Sequence, residues 1–489
     1  MRIAFFNPQG NFDKNNSRLT EHQDFGGQLI YVREVAKELS KLGVFVDIFT
    51  RKIDDENWPE FKENIDSYDD TKNLRIIRIP FGGERFLRKE LLWPYLKEFA
   101  EGIFKYYKNI NQKPDFITTH YGDGGITGAI FEEITNIPFS FTAHSLGAQK
   151  IDKLGVNIHN FDSYDREYNF SIRIHAERTS MNRSAFNIVS TNLERFEQYA
   201  HPLYEEAIDI NDDNKFEVIS PGVNVNIFSS EKKEMDKEFW QKIEKYLSRD
   251  IKEKNKQYIV LSSRVDEKKN HLGAIRAYAK SKKLQQIANL VIFVRGLINS
   301  FEDINKLSEK EQKIIDEIKR IIEDYGLKGK VSLFDVPGQE ELASAYRYFV
   351  KKNSIFVLPA FYEPFGLAPI EAAAVGLAIV ATKNGGPMEA FDRGKYGVLI
   401  DPFDENNIAD GMIEGLENFK KYSELGKKRV IENFTWEITA KKYLERIEKY
   451  LKNPIKKINY LEIPKFFFNK EKNIDKKIIL EYLHNKNAL

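Results

Sequence analysis

The chain repeats one local pattern from end to end: a short apolar run, a break at glycine or charge, then residues of helical period. Apolar runs stand at 2–6, 44–49, 74–79, 115–119, 138–142, 187–190 and 216–219. They recur at 258–261, 290–294, 331–334, 354–358, 377–381 and 397–400. Runs this short and this apolar suit parallel strands covered on both faces. Between them lie amphipathic stretches, such as 29–42 with Val32, Val35, Ala36 and Leu39 on one face. Another is 308–325, with Ile314, Ile315, Ile318, Ile321 and Ile322 on a core face. Strands alternating with helices predict an α/β fold of doubly wound parallel sheets. A chain of 489 residues exceeds a single core, so two or three domains are expected.

Charge narrows the function classes. Seventy-five basic residues against 74 acidic ones leave a net +1, which gives no support for a nucleic-acid partner. The chain has no cysteine, which excludes disulfides, thiolate metal sites and a cysteine nucleophile. With no signal-peptide core and no apolar run of membrane-spanning length, a soluble cytoplasmic enzyme with no membrane partner is expected.

Chemistry-bearing residues fall where the strands end. After 354–358 come Glu363, Pro364 and Gly366, then a helical pattern to about residue 375. Pro364 suits a turn, and a helix starting at Gly366 offers free amides and a positive dipole end, which suits a diphosphate. Glu363 in the turn is placed for a sugar hydroxyl, and Glu371, beyond the first helical turn, for a ribose. After 258–261 come Arg264 and Lys269, a pair of cations suited to a leaving diphosphate. Arg85, Arg88 and Lys89 after 74–79 are either a solvated face or the receiver of an acidic substrate. Gly26-Gly27 and Gly124-Gly125 read as loops at strand ends. The first lacks a G-x-G-x-x-G fingerprint, so a dinucleotide is not indicated.

The stretch F-Y-E-P-F-G-L-A-P-I-E at 361–371 resembles the E-x7-E motif of retaining, nucleotide-sugar-dependent glycosyltransferases of the GT-B fold, in the family GT4. Further phrases agree: F-T-A-H-S-L-G at 141–147, R-V-D-E-K-K-N at 264–270 and G-V-L-I-D-P at 397–402. Ile172-Arg173-Ile174-His175-Ala176-Glu177 resembles the family's R-R-I-x-A-E, with Ile172 in place of the first arginine. The resemblance covers roughly residues 1–450. It implies two facing Rossmann-like domains with a cleft between them, hinged at Pro221-Gly222. We therefore expect an acceptor-side domain at 1–221, a nucleotide-sugar domain at 222–435, and a returning helix with tail at 436–489.

By the same resemblance, Gly27, Arg264, Lys269, Gln339, Glu363, Phe365, Gly366, Leu367 and Glu371 bind the donor. Gly26, Gln28, Lys89, Tyr121, Lys150 and Arg173 bind the acceptor. His144 faces the reacting sugar, and His144, Glu363, Arg264 and Lys269 form the catalytic set. The bacterial members most similar to this chain join glucose from UDP-glucose to fructose 6-phosphate, with no metal and no cofactor. A separate phosphatase would then release the free disaccharide. Other donors or acceptors (GDP-mannose, ADP-glucose, free fructose) stay open, as do an epimerase and a nucleotide-sugar-binding protein on the same fold. The charged stretch 230–256 reads as a solvated helix and loop, a peripheral decoration. Phe466, Phe467 and Phe468 in the tail are expected to dock on the body.

Overall fold

The computed structural model describes residues 1–18, 24–455, 460–469 and 474–486. The chain folds into two compact units, Met1–Ile219 with Thr439–Leu489, and Ser220–Ile438.

The first unit is built on β1 (Arg2–Phe6), β2 (Phe45–Arg51), β3 (Ile65–Asp66), β4 (Leu74–Ile79), β5 (Phe116–His120), β6 (Phe139–Thr142), β7 (Phe186–Val189) and β8 (Phe216–Val218). Their order is β3-β4-β2-β1-β5-β6-β7-β8, parallel except for β3. The central strands are sealed on both faces, as Ile3, Phe5, Phe116 and Ile117 show no exposure. The strand order reverses between β1 and β5. Outside the carboxyl ends of such a pair the flanking loops part and leave a crevice for ligand.

The second unit holds β9 (Gln257–Leu261), β10 (Ala288–Phe293), β11 (Val331–Phe334), β12 (Ile355–Leu358), β13 (Ala378–Thr382) and β14 (Val398–Ile400). It is wholly parallel in the order β11-β10-β9-β12-β13-β14, with its switch point between β9 and β12. The helix Glu309–Asp324 buries all five expected isoleucines and opens on a capping box of Ser308 and Glu311.

Three expectations need correction. Gly124-Gly125 is no loop but lies in the first turns of a buried helix, Tyr121–Thr135. A Cβ on Gly125 would stand 2.4 Å from Ser180 Oγ, so the glycine serves close helix packing. Residues 230–256 are no decoration: the helix Asp236–Asp250 buries Phe239, Ile243 and Leu247. Asp236 there accepts from Arg347 Nε at 2.8 Å and Nη2 at 2.7 Å, both residues being buried. Strand β3, two residues at the sheet edge, was not expected at all. Phe467 is buried, and Phe466 and Phe468 pack on the first unit's core. Among the described residues, no helix is long and apolar enough to cross a membrane.

Candidate functional site

Of the expected donor residues, Arg264, Lys269, Glu363, Phe365, Gly366, Leu367 and Glu371 follow β9 and β12 at the second unit's switch point, whereas Gly27 lies in the first unit and Gln339 follows the edge strand β11. β9 ends at Leu261 and leads through exposed Arg264 to a single turn, Glu267–Lys269, capped by the Asp266 side chain. Asn270 follows in the left-handed region, and its amide donates to Pro402 O at 2.8 Å, which fixes the turn. From β12 the chain passes to Glu363, whose carboxylate accepts from Lys269 Nζ. Arg264, by contrast, has no hydrogen bond or ion pair among the described residues, so its guanidinium stands ready for an anion.

The Glu363 turn rests on a second one. Glu363 N donates to Asn384 O at 3.1 Å and Gly386 N donates to Glu363 O at 2.8 Å. Asn384 Nδ2 donates to Phe361 O at 3.0 Å. The turn Asn384-Gly385-Gly386 is thus the support of the motif. Phe365 and Gly366 are buried, and Gly366 caps the helix Leu367–Val375. The amides of Leu367 and Ala368 are left unpaired by the helix itself, an arrangement that favours anions. Burial pushes the Glu371 carboxyl up to about 7. Gln339 is the first residue of the helix Gln339–Val350 after β11, half-buried.

The expected acceptor residues gather at the first unit's switch point. Beyond β1, Gln28 on the helix Gly27–Lys41 donates to Asn7 Oδ1 at 2.7 Å and accepts from Gln9, which ties the helix start to the loop. Gly26 caps that helix and Gly27 is exposed. Lys89 Nζ donates to Asp24 Oδ1 at 2.7 Å. Arg173 is locked: Nε donates to Glu177 Oε1 at 2.8 Å, Nη2 to Ser145 O at 2.8 Å, and its guanidinium lies 4.7 Å over the Tyr121 ring. Lys150 Nζ stands 3.7 Å over the Tyr168 ring. Burial, then the charges of Arg173 and Lys89, push Lys150 down to about 8. Three cations are thus held within electrostatic reach of one another, which is what a site for a dianion needs. Position 172 adds nothing to them, because Ile172 packs on the apolar core.

Two residues here hold unusual backbone, Tyr121 at φ +66° and His144 at φ +58°. Strain of this kind persists where the surroundings fix it and clusters at functional sites. His144 Nε2 pairs with His120 Nδ1 at 2.9 Å, and the Tyr31 ring meets His144 edge-on at 5.0 Å. Tyr31 in turn shares a hydrogen bond with Tyr443 at 3.0 Å. Burial pushes His144 down to about 3, so the ring is neutral. His120, Tyr31, Asp24 and Asp123 were not singled out as site residues. Asp123 Oδ1 accepts from Gly124 N at 2.6 Å, its Oδ2 is buried with no partner among the described residues, and burial pushes the carboxyl up to about 8. His120 and Asp123 stand at the end of β5, and no sequence signal marks Asp24 or Tyr31. Among the described residues, no three His, Asp or Glu side chains are grouped to hold a metal ion.

Comparison with known proteins agrees with this geometry. Residues 242–429 match the family model of group 1 glycosyl transferases, and residues 1–248 match that of the sucrose synthase first GT-B domain. A probable sucrose-phosphate synthase of Thermosipho melanesiensis is 45% identical over 92% of this chain and 97% of its own length. The sucrose-phosphate synthase of Spinacia oleracea is 31% identical over 88% of this chain. That match takes in 46% of the plant protein, so the chain spans about half the length of such relatives. The solved sucrose-phosphate synthase of Thermosynechococcus elongatus shares the fold, with a TM-score of 0.67, 22% identity, and coverage of 92% of this chain and 99% of that one. Two doubly wound parallel sheets with these matches place the chain among the group 1 glycosyltransferases of GT-B fold, and within them it belongs to the sucrose-phosphate synthase family.

Proposed function

We propose that this chain transfers glucose from UDP-glucose to fructose 6-phosphate with retention at the anomeric carbon, giving sucrose 6-phosphate and UDP. The observation that carries the acceptor's identity is the cation set Lys89, Lys150 and Arg173, where burial and then the neighbouring positive charges lower Lys150 to about 8. A phosphate relieves that repulsion, whereas a neutral sugar leaves it in place. The match to the sucrose synthase domain model favours a second reading, with free fructose as acceptor. The cation set weighs against it.

In the proposed reaction the bond between the glucosyl C1 and the diphosphate oxygen breaks, and the electron pair leaves with UDP. A bond forms from the anomeric hydroxyl oxygen of the fructose unit to C1, and its proton passes to the departing phosphate. Arg264, Lys269 and the amides opening the helix Leu367–Val375 take the growing negative charge. Glu363 holds the donor sugar, Glu371 the ribose, Gln339 the uracil, and neutral His144 orients the glucosyl unit. Gly26, Gln28 and Tyr121 border the acceptor. The product retains its phosphate, so free sucrose requires a separate phosphatase.

Substitution tests this split. Arg264→Ala should lower kcat/KM by roughly a hundredfold through the diphosphate. Lys150→Ala should raise KM for fructose 6-phosphate roughly tenfold with little change for UDP-glucose. An Arg264→Ala variant with intact turnover would refute the donor assignment. An unchanged acceptor KM in Lys150→Ala would refute the phosphate assignment.

A further inference from the structure

The C-terminal segment has no part in the chemistry above, yet it touches all three helices that carry the acceptor-side groups. Lys150 sits on the short helix Gly147–Lys153, its ring partner Tyr168 ends the helix Phe161–Tyr168, and Arg173 lies on Phe170–Arg183. Each is held from outside by the last helix, Lys477–Lys486, or the residues just before it.

On the first helix the contact is through Asp152, two residues from Lys150. Its Oδ1 accepts from Tyr482 OH at 2.7 Å and from Lys486 Nζ at 2.5 Å, and its Oδ2 from His201 Nε2 at 3.0 Å. The His201 and Tyr482 rings lie 4.8 Å apart, which closes the group. On the second helix, Lys476 Nζ donates to Asp162 at 3.0 Å, pairs with Asp165 at 3.2 Å, and stands 5.3 Å over the Phe161 ring. Asp165 also accepts from Ser171 N and Oγ, both at 2.7 Å, which joins the second helix to the third. On the third helix, the His175 ring nitrogen Nε2 lies 2.7 Å from Asp475 O. The last helix is anchored by Ile479 and Leu483, both fully buried in the same core as Ile151, Phe161 and Tyr204.

We propose that the segment 475–486 is a strap that sets the acceptor site, with Asp152 as a positioning residue for Lys150, and Tyr482 and Lys486 holding Asp152 in place. The seven-residue helix Gly147–Lys153 is too short to persist by its own hydrogen bonds. Its orientation therefore depends on what packs and pairs with it, and Lys150 is aimed by that orientation. To keep Lys150 over the Tyr168 ring, the short helix needs a fixing point outside itself. A charge pair from the strap two residues along supplies that fixing point. The role assigned to the strap rests on the reading of Lys150 as a phosphate ligand.

The test is the double variant Tyr482→Phe/Lys486→Ala in the full chain, with Ile479 and Leu483 left in place so that the helix stays docked. KM for fructose 6-phosphate should rise roughly tenfold, while KM for UDP-glucose and kcat stay within about twofold. Lys486→Arg, which keeps the charge on Asp152, should restore most of the affinity in the Tyr482 background. Amide hydrogen exchange over residues 147–153 of the free protein should quicken in the double variant, a readout that does not depend on turnover. An unchanged exchange rate there overturns the strap. Faster exchange with an unchanged acceptor KM also overturns the positioning role. If the parent protein binds no fructose 6-phosphate in calorimetry, the phosphate reading fails, and the exchange measurement still decides the strap.

Discussion

Replacing Gly385 by alanine should disable the donor side while leaving the acceptor side untouched. Gly385 sits at φ +97° and ψ −149°, close to backbone that only glycine adopts freely. Its added Cβ would stand 2.2 Å from the carbonyl oxygen of Glu363, where ordinary contact begins at 3.4 Å. Relief therefore displaces the Glu363 turn by about 1 Å, enough to cost on the order of a hundredfold in rate when it moves a group that positions substrate. The hydrogen bonds from Glu363 N to Asn384 and from Gly386 N to Glu363 O lengthen together, and the Glu363 carboxylate leaves Lys269. We expect kcat/KM for UDP-glucose to fall about a hundredfold, with calorimetric affinity for fructose 6-phosphate unchanged. Gly394→Ala is the control. It too sits at positive φ, +95°, but its Cβ meets nothing within 4 Å. It should lose about 1–3 kcal/mol of stability and no donor affinity. A Gly385→Ala enzyme that stays folded with kcat/KM within about threefold of the parent would refute the claim that this turn supports the motif.

Other outcomes follow from the same geometry. Glu371 is raised to about 7 from 4.5, so its folded-state penalty is absent below pH 4.5, grows through the window to 7 and is complete above it. Glu371→Gln should then stabilise the free protein by on the order of 1–3 kcal/mol at pH 8 and by almost nothing at pH 4, read by urea unfolding. Equal stabilisation at both pH values would contradict the burial argument. Asp236→Ala leaves the buried Arg347 charge without its carboxylate, with only the Ile227 and Ser229 carbonyls as partners, which should cost about 3–5 kcal/mol in urea unfolding while turnover in the cold persists. His120→Leu removes the hydrogen-bond partner of His144 and should lower kcat roughly tenfold with binding of fructose 6-phosphate intact. An unchanged kcat would show that the histidine pair is idle.

How much of this was legible in the sequence depends on how local each signal is. The central parallel strands were legible because burial on both faces leaves an unbroken apolar run, as in β1 and β12. β3 was not, since two residues at a sheet edge carry no pattern. The helix Asp236–Asp250 was expected, but its buried face was hidden by charge: Phe239, Ile243 and Leu247 recur at four-residue spacing inside a segment otherwise full of Lys and Glu. The helix Tyr121–Thr135 was hidden by glycines that serve close packing and not a loop. At the candidate site, residues that sit in contiguous phrases could be named from sequence, among them Glu363, Lys269 and His144. Their partners were not, because Asp24 meets Lys89, and Asn384 meets Glu363, only through the fold. The strap is the extreme case, since Asp152 and Lys486 are 334 residues apart in the chain.

The most direct measurement is UDP release by the purified protein with UDP-glucose, comparing fructose 6-phosphate with fructose as acceptor and resolving the anomeric configuration of the product. The account predicts turnover with the phosphorylated sugar, little or none with free fructose, and retained configuration. Equal or faster turnover with fructose would contradict it and reduce Lys89, Lys150 and Arg173 to a structural cluster.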